Sequence, residues 1–123
     1  MPTVAARADP GAHPQVTAVV VAHDGARGLP ALRDGRQAQT RRVHEVVAAD
    51  TGSDDETPTQ LADWLGPDRV ATLPRRAGFG AAVQAALEQA PPPDPDPPAW
   101  VWLLHDDCVP APDALAHLLA EVA

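Results

Sequence analysis

Hydrophobic residues in this chain fall into short blocks of two kinds that alternate along its length. Residues 16–22 (VTAVVVA), 43–49 (VHEVVAA), 69–73 (RVATL) and 100–104 (WVWLL) are brief runs rich in β-branched or large apolar side chains. Such runs suit strands of a parallel sheet that is covered on both faces. Helical segments are predicted between them. Residues 29–39 open with Pro30 in the first turn, and residues 57–65 open with Thr57 as a cap, Pro58 at the first position and Gln60 three residues beyond the cap. Residues 80–90 place Val83, Ala86, Leu87 and Ala90 on one face, and residues 113–122 follow Pro112. The order β-α-β-α-β-α-β-α with short connections predicts an α/β, Rossmann-like domain with a largely parallel sheet over residues 15–123. Residues 1–14, with three prolines and no periodicity, read as a disordered leader. Residues 91–98 (PPPDPDPP) can be neither helix nor central strand and read as a stiff extended loop.

Charge and composition narrow the function. The 123 residues carry 17 acidic and 9 basic side chains, a net charge of −8, which argues against a protein that grips nucleic-acid phosphates. All nine basic residues are arginine, which excludes P-loop nucleotide hydrolysis and Schiff-base chemistry, both of which need a lysine amine. Cys108 stands alone, so an intrachain disulfide and a multi-thiolate zinc site are excluded. The longest apolar stretches fall well short of the roughly 20 residues of a membrane span, and the first residues lack a signal-peptide core, so the expected location is the cytoplasm.

Chemistry concentrates where the strands end. In open parallel sheets, ligands bind beyond the carboxyl ends of the strands. Three of the four predicted strands run into acids: His23-Asp24, Asp50 with Asp54 and Asp55 behind it, and Asp106-Asp107 after His105. The remaining strand ends in Arg75-Arg76 and a Gly78-Phe79-Gly80 turn. Crowded carboxylates repel unless a cation or hydrogen-bond donors offset them. A hard divalent ion takes one or two carboxylates plus substrate phosphates, and arginine forks onto phosphate oxygens. The combination points to a nucleoside diphosphate with metal. Each piece also has a plainer reading. Asp-Asp and Asp50-Thr-Gly-Ser make good turns and caps, the glycines permit close packing of strand on helix, and Arg75-Arg76 suits a solvated surface. The first turn, His23-Asp24-Gly25-Ala26-Arg27-Gly28, lacks the Gly-x-Gly-x-x-Gly of a dinucleotide fold, and a phosphate-receiver domain would need a lysine.

The strings VTAVVVAHDGA, VVAADTGSDDE, LPRRAGFGAAVQAAL and WLLHDDCVPAPDAL resemble, in order and spacing, the N-terminal half of a family 2 inverting glycosyltransferase of the GT-A fold. The resemblance implies that Ala22, His23 and Asp24 line the nucleotide pocket and that Asp50 contacts the base. It sets Arg76 and Gly78 beside the nucleotide sugar, in place of an Asn-x-Gly-Phe segment. His105-Asp106-Asp107 falls on the metal-binding Asp-x-Asp motif, with Asp107 as ligand of Mn²⁺ or Mg²⁺, His105 as a second candidate ligand and Asp106 facing ribose or sugar. The implied partner is a nucleotide-diphosphate sugar donor, and the implied reaction is inverting transfer to an acceptor hydroxyl.

The sequence departs from the family in several places. His105 replaces an aspartate, Arg76 an asparagine and Thr51 a second aspartate, while Gly28 and Gly35 loosen the first helix. The family's general base lies beyond the metal motif, and residue 123 closes one helix after it. The expectation is a donor half without an assigned catalytic base: part of a longer transferase, or a truncated, non-catalytic module that binds a nucleotide or a protein. An apolar sheet edge and self-association through it are expected as well.

Overall fold

The computed structural model describes residues 14–93 and 99–122. The reading of residues 1–13 as a leader, and of residues 94–98 as an extended loop, lies outside them. Four strands, β1 (Gln15–Ala22), β2 (Glu45–Thr51), β3 (Val70–Leu73) and β4 (Ala99–His105), alternate with four helices, α1 (Leu29–Gln37), α2 (Thr57–Leu65), α3 (Phe79–Leu87) and α4 (Ala114–Val122). A short 3-10 turn, Pro67–Arg69, precedes β3. All pairings are parallel, in the order β3-β2-β1-β4. The α/β, Rossmann-like expectation therefore holds. The direction of strand succession reverses between β1 and β4, which puts the crevice expected of such sheets at their carboxyl ends.

The alternation of side chains along β1 sorts the core into two layers. Val16, Ala18, Val20 and Ala22 face α1, α2 and α4, packing with Leu29, Leu32, Leu61, Trp102, Leu104 and Leu115. Val19 and Val21 face α3, packing with Val47, Ala49, Ala82 and Ala86. Three helices thus cover one face and a single helix the other. Because α3 lies over β1, β2 and β3, the α3 side of β4 is left open among the described residues. Val101 and Leu103, in register with Thr17 and Val19, are each 47 % exposed there. Among the described residues, this edge strand thus exposes apolar side chains on one face.

Several local expectations need correction. Gly28 lies ahead of α1 as its cap, and a Cβ there would stand 2.3 Å from the backbone oxygen of Asp106. A Cβ on Gly35 would meet the ring of Pro110 at 3.0 Å. These glycines let the chain after β4 pass close against α1. His44 precedes β2 rather than lying within it, and its Nδ1 accepts the Val16 N–H at 3.2 Å. Thr57 does not cap α2 with its hydroxyl, which has other partners described below.

Candidate functional site

Parallel pairing brings all four strand-end clusters to one rim. The β1 turn enters it first. Asp24 is held at φ +48°, a left-handed conformation that costs energy in a residue other than glycine. Its surroundings hold it there. The Asp24 N–H donates to Ser53 Oγ at 2.8 Å, and Asp24 Oδ1 accepts from the Asp54 N–H at 2.7 Å. Arg75 Nη2 reaches Asp24 Oδ2 at 3.3 Å and Asp54 Oδ2 at 3.0 Å. One guanidinium therefore ties the turns after β1, β2 and β3 together.

A second set of bonds lies behind the first. The buried Thr57 hydroxyl accepts the Gly25 N–H at 2.8 Å and donates to Asp55 Oδ1. Asp55 also accepts the N–H groups of Thr57 at 2.9 Å and Ala26 at 3.2 Å. The hydrogen bond from the Thr57 hydroxyl, reinforced by the Thr57 backbone N–H, holds the Asp55 carboxyl below its ordinary aspartate pKa. Asp55 is thus the carboxylate at the start of α2, and Thr57 is the bridge from α2 to the β1 turn.

The switch between β1 and β4 is closed by Asp106. Its Oδ2 accepts the His23 N–H at 2.8 Å, and a Cβ on Gly25 would lie 2.4 Å from the Asp106 Cβ. Gly25 is required here by close approach. The His23 ring is fixed from the other side, with Nδ1 2.6 Å from the Thr51 carbonyl oxygen. A carbonyl only accepts, so Nδ1 carries the proton.

Other groups on the rim are not engaged in this way. Asp50, at the end of β2, is only 2 % exposed; its Oδ2 accepts the Ser53 N–H at 3.3 Å and its Oδ1 has no partner among the described residues. Leaving a buried carboxylate oxygen unpaired costs on the order of 1–3 kcal/mol. Asp107 and Arg76 are exposed, and neither side chain has a hydrogen bond or ion pair among the described residues. Gly78 and Gly80 flank the start of α3, and a Cβ at either would meet nothing within 4 Å. Packing does not require glycine at these two positions. His105 stacks on Phe79, with ring centroids 5.1 Å apart and planes inclined by 20°.

Of the residues expected at the site, Ala22 is a buried core residue, whereas His23, Asp24, Asp50, Arg76, Gly78, His105, Asp106 and Asp107 all lie at strand ends or in the turns that follow. Sequence reading left out Ser53 and Thr57 as partners in the rim, gave Phe79 only as part of the turn before α3, and chose Arg76 rather than Arg75 as the site residue. The Ser53, Thr57 and Phe79 contacts link residues 29, 32 and 26 positions apart, so no local spacing announces them.

The glycosyl transferase family 2 sequence model matches residues 17–123, nearly all of the region that builds this sheet and rim. The chain belongs to glycosyl transferase family 2. No curated protein matches it. Among solved structures, the crystal structure of S. aureus TarS is similar, with a TM-score of 0.58 and 17 % identity over 88 % of this chain. That likeness concerns the fold. The chain spans only 19 % of the TarS chain. No helix among the described residues is long and apolar enough to cross a membrane.

Membership of family 2 raises the question of metal. Among the described residues no three histidine, cysteine, aspartate or glutamate side chains converge as a preformed metal site. Asp106 is bonded to the His23 N–H and His105 is stacked on Phe79, which leaves Asp107 as the unengaged carboxylate of the motif. One free carboxylate fits a divalent ion that takes most of its other ligands from phosphate and water.

Proposed function

We propose that this family 2 domain binds a nucleotide-diphosphate sugar at the rim and forms the donor half of an inverting glycosyltransferase. The observation that carries the reading is Asp50, buried one strand from the switch in strand order with an oxygen that no described residue satisfies. A ring N–H of a nucleobase supplies the missing donor. Oδ1 is closed to solvent, so a neighbouring group moves aside when the base enters. The start of α3 offers backbone N–H groups without a side-chain cap, next to open space at Gly78 and Gly80 and the unpaired Arg76. Those groups suit a diphosphate.

Asp107 would hold Mn²⁺ or Mg²⁺, which when bound supplies electrostatic stabilisation to the departing diphosphate. Asp106 and His23 fix the distance between the ends of β1 and β4, so that the groups bracketing the donor keep their spacing. Inversion follows from direct displacement at the anomeric carbon by an acceptor hydroxyl. No described residue is assigned as its base.

Calorimetric titration of UDP and GDP, with Mn²⁺ and with chelator, tests the reading. Binding that weakens at least tenfold in Asp50→Asn and loses its Mn²⁺ dependence in Asp107→Ala is expected. Failure of a folded chain to bind either nucleotide would sink it. Nucleotide binding by the wild-type chain that is indifferent to Mn²⁺ and to chelator would favour the alternative of a non-catalytic nucleotide-binding module.

A second proposal concerns the edge. The seven residues of β4 include no aspartate, glutamate, lysine or arginine, and Trp100, Val101 and Leu103 are exposed to solvent, whereas β3 at the opposite edge has four residues followed by Pro74. Unprotected apolar edges pair with other chains, and proline blocks such pairing. Concentration-dependent self-association of the chain is the expected result in light scattering; a monomer at high concentration would refute it.

A further inference from the structure

Four buried side-chain atoms have no hydrogen-bond partner among the described residues. One is Asp50 Oδ1, at the rim. The other three, Gln60 Oε1, Trp64 Nε1 and Arg36 Nε, belong to residues that line two adjoining cavities between α1, α2 and the start of β2. Buried polar atoms are rarely left without partners, because each forfeits its bonds to water. Three in one place call for a common cause.

Gln60 and Trp64 stand one turn apart on α2, and Arg33 and Arg36 are neighbours on α1. The cavity of about 400 Å³ between the helices holds Gln60, Trp64 and Arg33 together with Asp34 and Asp63. The next, of about 310 Å³, shares Trp64 and Arg33 with it and adds Arg36, Arg69 and Glu45. Shared walls make the two one cleft, of a size that takes a small molecule. It lies on the face of the sheet away from α3 and reaches the amino ends of β2 and β3, and no residue placed at the rim lines it.

The two ends of the cleft differ in charge. The chain carries a net charge of −8, yet Arg33, Arg36 and Arg69 meet at the lower end with a single acid, Glu45, which pairs with Arg69 at 3.3 Å. Arg33 and Arg36 have no ion pair among the described residues. Burial, and after it the charge of Arg33, lowers the Arg36 pKa from the ordinary guanidinium value. A guanidinium stays charged at neutral pH all the same, so the pair holds positive charge that no described group offsets. Arg41 and Arg42 line the adjacent cavity and extend it. At the upper end Gln60 Oε1, Asp34 and Asp63 offer acceptors instead, and the Trp64 indole N–H lies between the two ends.

We infer that this cleft binds a small phosphate ester bearing hydroxyl groups, with the phosphate at Arg33 and Arg36 and the hydroxyls toward Gln60, Asp34 and Asp63. Guanidinium groups fork onto phosphate oxygens, and two of them without a counter-ion match the near-double charge of a phosphate monoester better than a single carboxylate does. Hydroxyl groups donate to the acceptors at the other end. Inorganic phosphate satisfies only the lower end, and a neutral sugar only the upper. The three unpaired atoms are closed to solvent, so their side chains turn as the ligand enters. The site is separate from the rim and does not depend on what the rim binds.

Calorimetric titration of glucose 6-phosphate, ribose 5-phosphate and glycerol 3-phosphate into the chain, with inorganic phosphate and glucose as controls, tests the assignment. At least one ester is expected to bind about tenfold or more tightly than either control. Arg33→Gln, a change at an exposed side chain, should weaken that ester about tenfold, and Arg36→Gln by a similar factor. Gln60→Leu should weaken it about two- to tenfold, the range of one neutral hydrogen bond. Asp107→Ala, at the rim, should leave it within about twofold. In NMR spectra the Trp64 indole N–H, assigned by its loss in Trp64→Phe, should shift when the ester is added. Failure of all three esters to bind the folded chain, equal affinity for ester and inorganic phosphate, or full affinity in folded Arg33→Gln would overturn the inference. Loss of binding in Asp107→Ala with retention in the arginine variants would overturn it too, by moving the ester to the rim.

Discussion

The two sides of the rim are built differently. On the β1–β2 side, nearly every polar group is bonded: Asp24, Ser53, Asp54, Asp55, Thr57 and Arg75 satisfy one another and the backbone around them. On the α3–β4 side, Arg76 and Asp107 have no polar partners among the described residues, and Phe79 and His105 touch through their rings. Acidic residues that look alike in sequence thus divide into two classes. Asp24, Asp54, Asp55 and Asp106 hold loops together, whereas Asp107 and one oxygen of Asp50 remain for something outside the fold. A rigid wall facing an unsatisfied one is what a binding site needs, because fixed loops keep the free groups in place without their own partners.

Changes to the bonded groups should act on stability, and changes to the unsatisfied ones, Asp50 on the β2 side included, on binding. The largest effect is expected for Gly25→Ala. Its new Cβ would lie 2.4 Å from the Asp106 Cβ and force the ends of β1 and β4 apart. A loss of about 3 kcal/mol or more is expected in urea unfolding, typical of severe overpacking. A near-neutral result would mean that the β1–β4 junction is looser than described.

Thr57→Val is the next most severe. It keeps the shape but leaves the buried Gly25 N–H without its acceptor, a loss of about 1–3 kcal/mol by the same measurement. Acid should expose a smaller contribution from Asp55. Its folded pKa lies below the unfolded value, so the stabilisation is complete above the unfolded aspartate pKa of about 3.9 and is lost as pH falls through the lower folded value. In Asp55→Asn that part of the acid dependence should vanish. Unchanged acid sensitivity in the variant would assign it to other carboxylates.

The smallest effect on stability belongs to the open side. Asp107→Ala is expected to move unfolding by less than about 0.5 kcal/mol, since no described contact is lost. Marked destabilisation by Asp107→Ala would erase the distinction between the two walls.

Much of this was legible beforehand. Each of the four strands overlaps its predicted run, because a short apolar block between turn residues has few other ways to bury itself. Strand-end positions of His23, Asp50 and Asp106 were legible too, since they follow from the strands. Boundaries were less so. The predicted fourth helix starts at Asp113, whereas α4 runs from Ala114, and Thr57 looked like a cap because its local pattern is that of a cap. The Gly25 N–H that takes its hydroxyl instead lies 32 residues away.

What the chain determines by itself is the alternation of strands and helices, and hence a parallel sheet whose chemistry gathers at one rim. Local period and turn residues suffice for that. Only the tertiary structure decides which acids are free. Asp106 and Asp107 are neighbours with the same carboxylate, yet one is bonded to the His23 N–H and the other is not, because of where β1 passes beside β4. The same holds for Arg75 and Arg76, and for the glycines at 25 and 28, which are there for the closeness of Asp106. Partners distant in sequence meet only once the sheet has formed, so their pairing is a property of strand order and register rather than of any motif.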